Sequence, residues 1–277
     1  MGVPGPLDRR DKAGAKGWKI MEDRWVREFR DQPRHSGIFL DFDGTISDIA
    51  PTPGGAALHP RAAEILPRLA RHYPLCVLSG RRAADVASLV GLPRIHYVGV
   101  HGMEWLEGDE PRLDPEVLPY LPALDRARAE IREVLPGLPG VNLEDKVASL
   151  TLHFREAPRS EEQAVRLAEG LALRLGLRAR RGRRSVEIRP PVEIDKGTVI
   201  IRLARGWKLR RALFAGDDLT DVDGFRGLRY LMREGGFQGV AVAVLSEETP
   251  VELEAVADLT VRGPEGLLNL LTGLLLD

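Results

Sequence analysis

Cysteine is nearly absent from this chain: Cys76 is the only one among 277 residues, so no intrachain disulfide can form. It lies inside the apolar run Leu75-Cys76-Val77-Leu78 and reads as a small core residue. No apolar run approaches the ~18 consecutive residues of a membrane span, and the N-terminus lacks the apolar block of a secretory signal. Charge of one sign is lacking too. The formal net charge of −1 gives no global attraction to nucleic acid or to an anionic membrane. The expectation is a cytoplasmic protein with neither as partner. Lysine is scarce, 6 of the 40 basic residues, so a lysine in a suggestive place carries weight. Apolar residues make up 43% of the chain, ample for the core of one large domain or two modest ones.

Residues 1–36 read as a leader rich in Gly, Pro and charge, with a short helix over Trp18–Phe29 that places Met21, Trp25 and Phe29 at helical spacing. From Ile38 onward strands and helices alternate. Ile38–Asp41, Leu75–Ser79, Tyr97–Val100, Ala212–Ala215 and Val240–Val244 read as strands. Helices are expected over Pro60–Arg71 and Arg82–Val90, after Lys196, and over Thr220–Tyr230. Strands separated by helices imply a parallel sheet with right-handed crossovers. Between the halves the grammar changes. Leu118, Leu121, Leu124, Ile131 and Val134 mark an amphipathic helix, and residues 148–155 alternate as a half-buried strand. Ser160-Glu161-Glu162-Gln163 is a capping-box signature opening a second helix, and Ser185–Arg189 alternates again. The expected fold class is α/β: a Rossmann-like core with a parallel sheet over 37–113 and 191–277, interrupted by an α+β insertion over 114–190.

Chemistry concentrates at the strand ends. Leu40-Asp41-Phe42-Asp43-Gly44-Thr45 sets two carboxylates two residues apart where β-structure gives way to a turn, and ligands collect at the carboxyl ends of strands in open α/β sheets. An aspartate there can attack phosphorus while its neighbour moves protons; an Asx turn accounts for the tetrad alone. Ser79, with Gly80 and Arg81, follows the next strand and can donate to a phosphoryl oxygen. Lys196 opens the helix after the insertion and can bring an ammonium toward an anion, although a lysine is by default a surface residue. Gly216-Asp217-Asp218-Leu219-Thr220-Asp221 follows another strand. Clustered carboxylates suit a hard cation, Mg²⁺ above all, with Asp217 the nearest to its strand; Asp218 or Asp221 also serves as a helix cap.

The order D-x-D-G-T, S-G-R, K-G, G-D-D-x-x-D resembles that of the haloacid dehalogenase-type phosphatase superfamily, over essentially residues 37–277. That resemblance implies Asp41 as nucleophile forming an aspartyl-phosphate and Asp43 as the acid and then the base. It implies Ser79 and Lys196 holding the transferring group. Mg²⁺ would sit on Asp41, the backbone carbonyl of Asp43, and Asp217, supported by Asp218 or Asp221. The insertion between the serine and lysine motifs resembles the superfamily's larger cap. Leu143-Glu144-Asp145-Lys146, Leu152-His153-Phe154-Arg155, Glu187-Ile188-Arg189-Pro190 and Gly99-Val100-His101-Gly102 are similar to segments of the trehalose-6-phosphate phosphatase family. That similarity implies hydrolysis of trehalose 6-phosphate to trehalose and phosphate, the last step of trehalose biosynthesis. Glu144, Lys146, Arg155 and Glu187 would bind sugar hydroxyls, and Gly80, Arg81 and His101 would line the same site. A trehalose-phosphate synthase would act in the same pathway, with no synthase domain fused. The family's glutamate after G-D-D-x-T-D is replaced by Val222, which lowers the expectation placed on Asp221.

Alternatives stay open. The same chemistry could serve sucrose phosphate or a glycosyl-phosphoglycerate, and the fold could serve a sugar-phosphate-binding regulator without catalysis. Glu144 and Lys146 share strand parity with the apolar positions, so the strand must start after Lys146 or carry a bulge. The basic run Arg178-Ala179-Arg180-Arg181-Gly182-Arg183-Arg184 has no interleaved aromatics for base stacking, and Gly182 suggests a solvated hairpin.

Overall fold

Six consecutive residues, Ser36–Asp41, form β1, and all are buried, as a strand covered on both faces requires. The computed structural model describes residues 24–48, 55–182, 184–247 and 249–276. The expected leader, Trp18 and Met21 lie outside them. Trp25 and Phe29 share a helix, α1 over residues 24–31, their rings edge to face at 5.3 Å.

β1 pairs in parallel with β2 (Leu75–Leu78) on one side and β10 (Arg211–Gly216) on the other. Chain order therefore reverses at β1, the switch point where open α/β sheets form their binding crevice. The parallel run continues through β3 (His96–Gly99) beyond β2, and through β11 (Gln238–Leu245) and β12 (Leu259–Arg262) beyond β10. Beyond β3 the strands β4 (Glu104–Glu107) and β5 (Glu110–Leu113) add antiparallel.

Period-two alternation divides the core into two layers. Ile38, Leu40, Leu75, Val77 and Leu213 face Phe29, α2 (Pro60–Ala70), α3 (Ala83–Val90) and α9 (Gly263–Thr272). Phe39, Cys76 and Phe214 face α6 (Lys196–Gly206), α7 (Asp221–Arg233) and α8 (Val251–Val256). Cys76 is buried and its thiol is pushed up by desolvation, in keeping with an inert core residue.

Between β5 and α6 the chain builds a second, antiparallel sheet in the order β6-β7-β9-β8: Asn142–Asp145, Leu150–His153, Ser185–Arg189 and Arg178–Gly182. Its apolar face packs on α4 (Leu121–Val134) and α5 (Glu161–Leu175) through Leu150, Leu152, Val186 and Ile188. Two expectations change here. Pro119 and Pro122 split the first helix into a 3-10 turn, Leu118–Tyr120, followed by α4. The capping box at Ser160 does not form, because Ser160 already has helical torsions at the end of a 3-10 turn. Its hydroxyl donates instead to Pro139 O at 3.3 Å. Among the described residues no helix is long and apolar enough to cross a membrane.

Candidate active site

Parallel register sets the site. Asp41 lies opposite Leu78, so Ser79 follows one step beyond, and Leu40 opposite Ala215 puts Gly216 and Asp217 at the same edge. Gly44 takes φ +73°, and a Cβ there would collide with the Asp217 carboxylate. The backbone turns at once because Thr45, Ile46 and Ser47 all donate their N–H to Phe42 O, at 3.3, 3.1 and 3.0 Å. Thr45 Oγ1 then reaches Asp217 Oδ1 at 3.5 Å.

Lys196 is the first residue of α6, fixed by an N-terminal capping box between Asp195 and Thr198. Its Nζ donates to Asp41 Oδ1 and to Asp221 Oδ1, both at 2.6 Å. Burial opposes its charge, yet the two carboxylates outweigh that and hold the ammonium above its ordinary range. Burial pushes the Asp41 carboxyl well up; Lys196 works against this and Asp221 adds to it. Asp217 is pushed up to about 9 by burial first, then by Asp41, Asp221 and Asp218. Acids so crowded favour a positive partner beyond one ammonium.

Oxygens of Asp41, Asp217 and Asp221 lie within 4.8 Å of one another. An all-carboxylate donor set of that size fits a hard cation. The low expectation placed on Asp221 is overturned: it is fully buried, and its Oδ2 accepts the backbone N–H groups of Asp217 and Asp218, each at 3.0 Å. Val222 packs into the apolar cluster around Phe225 and Phe214. Asp218 is not brought into the group. Its side chain is exposed and its Oδ1 accepts from Leu219 N at 2.6 Å.

Asp43 stands beside this cluster with both oxygens on Arg81, which donates from Nε and Nη2 at 2.7 Å each. The Arg81 guanidinium is held above its usual value by Asp43 first, with Glu144 of β6 and Asp41 contributing. Ser79 is buried; its Oγ accepts from Arg81 N at 3.1 Å, leaving its own proton to donate. Gly80 lies under the His101 ring, 2.7 Å from where its Cβ would stand. Val100 and His101 take φ of +48° and +55°, backbone strain of a kind that collects at functional sites. Burial, then Lys196, Lys146, Arg189 and Arg180, keep the His101 imidazole well below its usual range.

The polar face of the second sheet reaches the core through Arg180, which meets Asp223 of α7 at 3.7 Å. Cross-strand register aligns Glu144, Thr151, Glu187 and Arg180 in one row. The parity conflict at Glu144 and Lys146 is resolved by a chain reversal: β6 ends at Asp145, Val147 takes φ +65°, and β7 starts at Leu150. Glu144 Oε2 receives His153 Nε2 at 2.8 Å and Lys146 Nζ at 3.3 Å. Arg155 does not join them, because β7 stops at His153 and Arg155 is exposed in the turn beyond. The alternation over residues 148–155 already set Thr151 and His153 on the polar side, although neither was named as a site residue, and Arg180 was read only as part of the basic run. The arginine run makes the expected hairpin, with Arg178 on Glu193 at 2.6 Å, Arg181 on Glu169 at 2.9 Å and Arg180 on Asp223 at 3.7 Å.

The fold is that of haloacid dehalogenase-type phosphatases: one of them, from Bacteroides thetaiotaomicron, superposes with a TM-score of 0.54 at 14% identity, covering 86% of this chain and 94% of that one. Residues 39–258 match the trehalose-phosphatase family, and the chain belongs to that family. The trehalose-phosphate phosphatase of Mycobacterium tuberculosis is 39% identical over 207 residues, 69% of this chain and 51% of that protein. The one from Mycobacterium leprae is 37% identical over 208 residues, 71% and 48% of the two. This chain thus spans about half the length of these curated relatives. The C-terminal domain of Candida albicans trehalose-6-phosphate phosphatase shares the fold, with a TM-score of 0.72 at 20% identity over 91% of this chain and 96% of that one.

Proposed function

We propose that the protein is a Mg²⁺-dependent phosphatase releasing inorganic phosphate from trehalose 6-phosphate through an aspartyl-phosphate on Asp41. The observation that carries this reading is the buried trio at the switch point, Lys196 bonded to both Asp41 and Asp221 at 2.6 Å. Phosphoryl transfer depends chiefly on alignment and on offsetting charge on the equatorial oxygens. Asp41 Oδ forms the new bond to phosphorus as the ester P–O bond breaks, and Asp43 gives its proton to the departing sugar oxygen. Asp43 then takes a proton from the water that attacks the acyl-phosphate, freeing Asp41 and inorganic phosphate. The Arg81 fork must leave Asp43 for that role, and the substrate phosphate is the competing anion that draws it away. Ser79 Oγ–H and Lys196 Nζ–H donate to the transferring group. Mg²⁺ would be held by Asp41, Asp217, Asp221 and the Asp43 carbonyl, and when bound it neutralises negative charge between nucleophile and phosphate.

Residues 114–190 act in this reading as a cap whose polar sheet face holds the sugar, Glu144, Lys146 and Glu187 among its contacts. The substrate would come from a trehalose-phosphate synthase, and the setting is cytoplasmic. Phosphate release measured across trehalose 6-phosphate, sucrose 6-phosphate, glucosyl-3-phosphoglycerate and glucose 6-phosphate tests the reading. Strong preference for the first supports it, and equal turnover across the panel overturns the trehalose assignment. Asp41→Asn should abolish turnover; a variant as fast as wild type rules out covalent catalysis by Asp41.

A further inference from the structure

The polar face of the second sheet carries buried side-chain atoms that no group among the described residues satisfies. Thr151 Oγ1, Ser149 Oγ and Glu187 Oε1 all lack a hydrogen-bond partner. Thr151 is 5% exposed and Ser149 fully buried. Native proteins rarely leave such groups unpaired, because a desolvated hydroxyl without a partner costs stability. Two of these atoms belong to side chains on one face of the sheet. Thr151 stands directly opposite Glu144 on one side and Glu187 on the other, and Ser149 keeps the same parity just before β7.

The ends of the row are tied and its centre is open. Glu144 is bound by His153 and Lys146, and Arg180 reaches Asp223 of α7 at 3.7 Å. Between them Thr151 Oγ1 and Glu187 Oε1 have no hydrogen-bond partner among the described residues. His101 Nδ1, from the loop after β3, is likewise buried and unpartnered. From β6 to β9 the row crosses two strand spacings, ~10 Å, which is longer than one pyranose ring.

We propose that Thr151, with Ser149 beside it, is a specificity-determining hydroxyl that hydrogen-bonds the middle of a two-ring, polyhydroxylated leaving group. The inference rests on the sugar-phosphatase reading and deepens it. A ligand whose hydroxyls meet Thr151 and Glu187 together completes bonds that the free protein lacks. A shorter ester, or one without hydroxyls, leaves them unmade, and sites built this way reject such ligands strongly.

Thr151→Val removes the hydroxyl and preserves shape and strand preference, so folding and recognition separate. Steady-state kinetics of the full chain with Mg²⁺ would use trehalose 6-phosphate, the other sugar phosphates of the panel and 4-nitrophenyl phosphate, alongside thermal melts. For the preferred sugar ester, kcat/KM should fall roughly 10- to 100-fold, while turnover of 4-nitrophenyl phosphate changes less than about twofold. The melting temperature should hold or rise, because an unpaired hydroxyl has been removed. Thr151→Ser should recover most of the loss, and Ser149→Ala should show the same selectivity more weakly. Unchanged sugar-ester kinetics with a higher melting temperature would overturn the proposal, as would equal losses on both substrate classes. If wild type prefers a sugar ester other than trehalose 6-phosphate, the trehalose reading fails, yet a selective Thr151→Val loss on that ester upholds the role of Thr151. If wild type hydrolyses no sugar ester, both fail.

Discussion

Lys196 shows how one side chain can be held by opposing forces. Desolvation alone would strip its proton, yet Asp221 and Asp41 keep it charged, and it in turn limits the rise in Asp41. Removing one partner of a buried ion pair costs about 3–5 kcal/mol, since the other charge stays buried and unbalanced. Lys196→Ala should therefore lose stability of that order in urea melts and lose phosphate release by at least ~100-fold. A variant that kept wild-type turnover would remove the ammonium from the mechanism. Arg81 is a subtler case. Its planar fork holds both oxygens of Asp43, a geometry lysine cannot copy. Arg81→Lys should raise KM several-fold, the charge surviving and the fork not; an unchanged KM would mean that Arg81 never engages the phosphate.

At the scale of elements, the α6 capping box fixes the turn that carries Lys196, so in the proposed mechanism helix start and catalysis are linked. Asp195→Ala should cost about 1 kcal/mol, the usual worth of an N-cap, and should lower turnover more than a cap lost from a remote helix. Equal turnover for Asp195→Ala and wild type would show that Lys196 is aimed by its ion pairs alone. A second element, the turn at Val147, explains what the sequence hid. The parallel core was legible because Ile38–Leu40, Leu75–Leu78 and Ala212–Ala215 are short apolar runs, each ending at a polar motif. Asp217 was legible for the same reason, whereas Lys196 stood out because lysine is scarce and it opens the helix after the insertion. The second sheet was half legible: the parity clash at Glu144 and Lys146 already required a strand starting after Lys146 or a bulge, and β7 does start later, at Leu150, beyond a β-branched residue at positive φ that reverses the chain. Arg155 lies outside the row, since alternation in the sequence runs on past the strand's last ladder pair, His153 with Ser185. Asp221 was undervalued because its worth lies in bonds to Lys196 and to backbone N–H groups, which spacing does not reveal. Val147→Asn, placing a residue that tolerates the left-handed region, should raise stability by about 0.5–1 kcal/mol. A drop in melting temperature would mean that Val147 contributes packing that outweighs its strain.

Across the whole molecule, two separately packed units meet over one concentration of negative charge. Val100, Met103 and Val117 pack with Ala148, which precedes β7, Arg180 spans to Asp223, and Asp41 and Asp221 are buried. That burial gives stability a definite pH dependence. Asp217 is raised in the folded protein from the ordinary 3.8 to about 9, so the native state holds its proton more tightly than the unfolded chain does. The resulting stability is complete below the unfolded value and drains away as pH climbs toward the folded one. With chelator present, the melting temperature should therefore decline from about pH 5 to about pH 9. Added Mg²⁺ should raise it by mass action, and by more at the alkaline end, where no proton competes for the carboxylates. Asp217→Asn should flatten the decline and weaken the response to Mg²⁺. A chelated wild type whose melting temperature rose across that interval, or an equal Mg²⁺ response at both ends, would show that the three carboxylates do not share one cation.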